Sequence, residues 1–110
     1  MSNTNTVSAY FAAMRSKDVE AHRVLFANDA ELVTSQGTFV GTDAISSFYR
    51  DFAFSVEDLW PEPGPFIVAG NRIAVELEAR ASGAVSMMAD FFTVRNGKIS
   101  RLAIYTGPRI

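Results

Sequence analysis

Apolar residues recur at helical spacing in the first half of the chain and alternate in the second half. Val7, Tyr10, Phe11 and Met14 stand at i, i+3, i+4 and i+7. That spacing predicts a first helix capped by Asn3 or Thr4, with residues 1–3 frayed. Lys17-Asp18 interrupts it, and Asp18 is placed to cap a second short helix carrying Val19, His22, Leu25 and Phe26, which "ANDA" at 27–30 closes. "AELVTS" alternates as a strand does, and "GTFVG" extends it after a turn. "GTDAISSFYRDF" predicts a third helix with Thr42 or Asp43 as N-cap and Ala44, Ile45, Phe48, Tyr49 and Phe52 on its buried face. "PEPGP" at 61–65 reads as a loop. Beyond it, "FIVAG", "RIAVELEARA", "AVSMMADFFTV" and "KISRLAIYTG" read as four strands, turned at "GN" 70–71, "SG" 82–83 and "NG" 96–97. Asn96-Gly97 is the strongest turn signal, because a type I′ hairpin needs positive φ at both central positions.

Helices followed by a run of strands predict an α+β fold, one domain over residues 1–110, with the helices on one face of a curved, mostly antiparallel sheet. The late strands are apolar on both faces. Met88, Phe92 and Val94 share one side, and Met87, Ala89 and Phe91 the other. A half-exposed sheet alternates apolar with polar instead. A second copy of the chain is the simplest cover for that other face, so a homodimer is expected.

Hydrophobic residues make up 48% of 110, with nine Phe, enough for a real core in one domain. A net charge of −2 and the lack of a basic stripe argue against a nucleic-acid partner. The absence of cysteine excludes disulfides and thiolate metal sites, and with one histidine no metal site is expected. The glycines fall at turns, so no phosphate loop or other cofactor motif is read. "MSNTNTVSAYF" lacks the pattern of a signal peptide, and no run approaches the roughly 18 apolar residues of a membrane span. A cytoplasmic protein without a membrane partner is therefore expected.

The unusual residue is Asp90, a carboxylate inside "SMMADFFTV". Period-two geometry puts it on the face of Met88 and Phe92. A buried, isolated carboxyl tends to keep its proton, and a protonated acid in a dry pocket can donate to a developing oxyanion. It can equally lie at a solvated edge, or bond a Tyr or Arg as plain structure. Tyr10 and Tyr49 also lie on otherwise apolar helix faces, and a buried phenol needs a partner for its hydroxyl. The three polar groups can satisfy one another between helices and sheet, although spacing alone does not bring them together.

The stretches "YFAAMRSKDVEAHRVLFANDAEL", "FVGTDAISSFY", "ADFFTVRNGKISRL" and "YTGP" resemble the nuclear transport factor 2-like superfamily, and within it the SnoaL-like and ketosteroid isomerase-like proteins. The resemblance covers about residues 7–107. It implies a cone-shaped α+β fold of three helices on a curved sheet around an apolar cavity. It also implies Tyr10 and Asp90 as the oxyanion donors, with Tyr49 bonded to Tyr10. The position of the isomerase general base falls on Thr34, which cannot take a proton from carbon at neutral pH. Glu31, at odd spacing from Thr34, points to the other face. The cavity is expected to be lined by Phe11, Met14, Phe26, Thr34, Phe48 and Phe52 from the first half of the chain. Met88, Phe92 and Ile104 line it from the late strands.

Other candidates are weaker. His22 reads as a surface or packing residue. Arg101 shares its period with Ala103 and Tyr105, away from the cavity, which disfavours an Asp-Arg-Asp hydrolase arrangement. Phe54, Leu59, Trp60 and Phe66 form either a lid or part of the core. The expected function is binding of, or chemistry on, a small apolar carbonyl compound of steroid- or polyketide-like character. The alternative is a non-catalytic ligand-binding or dimerisation module of the same fold.

Overall fold

The computed structural model describes residues 2–110. Three helices, α1 (Asn3–Ser16), α2 (Val19–Arg23) and α3 (Thr42–Asp51), pack on a six-stranded sheet. The strands are β1 (Phe26–Thr34), β2 (Gly37–Val40), β3 (Trp60–Ala69), β4 (Arg72–Ala81), β5 (Ala84–Arg95) and β6 (Lys98–Arg109). Their order is β2-β1-β6-β5-β4-β3, antiparallel throughout except where β1 runs parallel to β6. The sheet is mixed, curved and open, and the α+β architecture expected from the sequence is the one observed.

The cap of helix α1 is Ser2, ahead of both expected caps, Asn3 and Thr4. Ser2 accepts from the Asn5 amide, so Asn3 is helical rather than frayed, while Met1 lies outside the described residues. Lys17, at φ 55°, ends the helix in the left-handed region, and Asp18 caps α2 through the Ala21 amide as expected. Helix α2 stops at Arg23, however, and Phe26 begins β1. "ANDA" therefore lies within the strand instead of closing a helix. Only one turn of helix fits before the parallel pairing of Phe26 with Ile99 takes the chain. Helix α3 is preceded by Gly41 and has no side-chain cap, so neither Thr42 nor Asp43 fills that role. Phe52 sits past its last turn, 55% exposed, rather than on the buried face.

The largest departure is "PEPGP". Residues 61–65 belong to β3, an edge strand, and Pro61, Glu62 and Pro63 pair with β4. Pro61 and Pro63 stand at alternate positions, so the missing amides fall on one side of the strand, the open edge. The register slips between Pro63 and Phe66, which absorbs Gly64 and Pro65 as a bulge. The hairpin signals were sound: Asn96 and Gly97 have φ of 53° and 74°.

Candidate functional site

Each polar group of the expected trio is delivered by a different element. Tyr10 comes from the buried face of α1, Tyr49 from α3 and Asp90 from the concave face of β5. All three line one cavity of about 230 Å³. The two phenols share a hydrogen bond of 2.6 Å, and their rings meet edge to face. Asp90 is 3% exposed. Its cross-strand neighbours are Val75 on β4 and Ile104 on β6, and Met88 and Phe92 flank it on its own strand. None of these can donate, and Asp90 Oδ1 has no hydrogen-bond partner. The mutual satisfaction of all three groups is thus half realised: the tyrosines bond each other, and the acid stands alone.

The electrostatics follow from burial. Desolvation raises the Asp90 carboxyl from 3.8 to about 7, because nothing in its surroundings compensates the charged form. Tyr10 is raised well above its ordinary value by burial first, then by Tyr49 and by the negative charge of Asp90. Tyr49 is also raised, chiefly by burial, with the Tyr10 hydrogen bond opposing. At neutral pH the cavity holds two phenols that stay protonated and one acid near its midpoint. Asp90 can therefore donate a hydrogen bond or accept a proton, and no other lining group titrates near pH 7.

Among the expected lining residues, Phe11, Met14, Thr34, Phe48, Phe52, Met88 and Ile104 border the cavity. Phe26 and Phe92 do not. They lie below the floor in the packed core, against the Tyr10 ring at 6.4 and 5.1 Å. Thr34 is at the mouth, beside Ser35 and Gln36. Its hydroxyl accepts from the Gln36 amide and donates to the Gly37 carbonyl, so it serves the β1–β2 turn. Glu31 is ion-paired with Arg101 at 3.0 Å, and both are half exposed. The cavity lining accordingly contains neither an arginine nor a second carboxylate. The four residues around the proline segment divide. Leu59 borders the cavity, Phe54 and Phe66 pack into the core, and Trp60 lies outside under the Arg15 guanidinium.

Of the two readings left by the sequence, surface or packing, His22 is the packing residue. It is fully buried, with neither ring nitrogen bonded, inside a cage of Tyr10, Phe26, Tyr49 and Phe54. Burial lowers its pKa from 6.5 to about 4. Its ring lies 4.0 Å from that of Tyr49, so it backs the tyrosine pair from the side away from the cavity. The i+3 spacing to Leu25 and i+4 spacing to Phe26 carried the signal. Among the described residues, no cluster of acidic or histidine side chains is arranged to hold a metal ion, and no helix is long and apolar enough to cross a membrane.

Comparison with known proteins agrees with this frame. The SnoaL-like domain model matches residues 7–102. No curated protein matches the chain. Among solved structures, a candidate polyketide cyclase from Sinorhizobium meliloti is 24% identical over 96% of this chain and 100% of its own, with a TM-score of 0.84. A protein of ketosteroid isomerase-like fold from Catenulispora acidiphila, in complex with trimethylamine, is 24% identical over 91% and 83%, with a TM-score of 0.79. TerC, co-crystallised with polyporic acid, is 24% identical over 96% and 91%, with a TM-score of 0.82.

Proposed function

The chain belongs to the SnoaL-like domain family, and on that premise we propose that it binds a small, mainly apolar carbonyl compound and moves a proton on it through Asp90. The observation that carries this reading is one carboxyl, 3% exposed and unpaired, on the wall of an otherwise apolar cavity beside a bonded pair of phenols. A carboxyl with a pKa near 7 is suited to general acid–base work at neutral pH. Of the two bonded phenols one donates to the other, and the second keeps a free hydroxyl proton that a ligand oxygen beside it can accept, as an enolate requires. Asp90, ionised, then takes a proton from the carbon beside the carbonyl. Returned to another carbon of the enolate, the proton completes an isomerisation. In cyclase-type chemistry the enolate carbon instead adds to a second carbonyl of the same molecule, whose oxygen receives the proton. With Thr34 occupied in a turn, base and acid are one residue. Structural neighbours that hold trimethylamine and polyporic acid support a ligand-binding role for the fold.

The test is exchange of α-protons for deuterium on a simple cyclic ketone. Exchange above the buffer rate that disappears in Asp90→Asn supports proton transfer. Binding without exchange leaves the second reading, a ligand-binding module, which the absence of any other carboxylate from the cavity favours.

The same reading extends to assembly. Phe91 and Tyr105 touch at 5.8 Å on the sheet face opposite the helices, and both are exposed. A second copy covers this face. Sedimentation should give twice the 12.0 kDa chain mass, and Tyr105→Glu should lower it.

A further inference from the structure

The size of the cavity and the way its mouth is fastened restrict what it can take. An apolar cavity of about 150 Å³ takes up one benzene. By the same ratio, 230 Å³ has space for about nine non-hydrogen atoms, and for about twelve if the ligand packs as densely as a protein interior. That is less than the roughly 300 Å³ at which ordinary ligand pockets begin.

The floor cannot recede. Tyr10, Tyr49 and Asp90 are backed by core side chains, including Phe92 and His22, that leave no exposed surface. One rim of the mouth is built from Phe52, Ala53, Leu59 and Pro61, and this segment is tied down at several points. Lys17 donates to the Glu57 carbonyl. The Asp58 carboxylate accepts from the Ser82 and Gly83 amides at 2.6 and 2.8 Å. Arg15 donates to the Pro61 carbonyl at 3.0 Å, pairs with Glu62 at 3.2 Å and stacks on Trp60 at 4.8 Å. A rim held to α1 and to the β4–β5 turn is a braced wall on that side of the mouth.

We infer that the ligand is a one- or two-ring carbonyl or enol compound, and that three- and four-ring skeletons are excluded by this cavity. The inference rests on the proposed binding role and sharpens it, since the sequence alone allowed a steroid-like molecule. The ligand's oxygen lies at the Asp90 end. Its far edge reaches Thr34, Ser35 and Gln36, where a polar substituent is tolerated.

Calorimetry with phenol, naphthol, phenanthrol and a four-ring phenolic steroid tests it, the phenol oxygen standing for an enol. Affinity should rise about tenfold from one ring to two and fall at least about tenfold at three. Met88→Ala, which hollows the wall, should shift the optimum to three rings. Leu59→Ala at the rim does the same service if the first variant folds poorly. Affinity that keeps rising to four rings overturns the size limit and leaves the binding role standing. An optimum that neither variant moves also overturns it. Failure of all four compounds to bind removes the binding role itself, and the size limit with it.

Discussion

Asp90 and His22 are both buried and both lack hydrogen-bond partners, yet only one of them borders open space. The same cause, desolvation, pushes the acid up to about 7 and the base down to about 4, so each favours its neutral form. Asp90 faces the cavity, where a ligand can supply the missing partner. His22 is enclosed by four aromatic rings, and neither of its ring nitrogens has a hydrogen-bond partner. A perturbed titratable group becomes a site through the space in front of it; without that space it is part of the wall.

The contrast breaks most visibly in stability against pH. Folded Asp90 holds its proton between 3.8 and about 7 while the unfolded chain has lost it. Its contribution is full below pH 3.8 and lost as pH rises through 7, by about 4 kcal/mol. Asp90→Asn should therefore be more stable than the parent at pH 8 by about 3 kcal/mol in urea unfolding. Equal stability of the two proteins at pH 8 would mean that the carboxyl is not desolvated.

His22 runs the other way and comes second. The unfolded chain binds the extra proton between 6.5 and about 4, so its contribution is full above 6.5 and lost as pH falls, by about 3 kcal/mol. The two slopes oppose each other in that window, and the parent should be nearly flat there. His22→Leu should expose the Asp90 slope, and Asp90→Asn the His22 slope. Parallel pH profiles for both variants contradict the comparison.

Smaller effects sharpen it. Tyr49→Phe removes the 2.6 Å bond to Tyr10 and should cost about 1 to 2 kcal/mol, with weaker naphthol binding because the donor pair is broken. Thr34→Ala should cost only about 0.5 kcal/mol, lost from the β1–β2 turn, and should leave the Asp90 titration where it was.

Much of this was legible in the sequence because periodicity reports which face is buried. The helices, the late strands and the convergence of Tyr10, Tyr49 and Asp90 on one concave side follow from spacing and the family resemblance. What spacing does not report is how far burial continues around an element. For His22 spacing left surface and packing both open, and packing holds because α2 is covered on the side that α3 and residues 52–54 close. Phe26 and Phe92 have the right face but sit beneath the floor. "PEPGP" misled because proline forbids a central strand, not an edge one, and edge position is a property of the whole sheet. The orphaned oxygen of Asp90 was also out of reach, since it depends on Val75 and Ile104 standing on both sides.

The central claim concerns a single proton. Carbon-detected NMR of the aspartate carboxyls, with Asp90→Asn to assign the signal, follows it directly. Asp90 should titrate with a midpoint near 7, against about 4 for exposed aspartates. A midpoint at or below 4 would put a charged carboxylate in the cavity and contradict the proposed role.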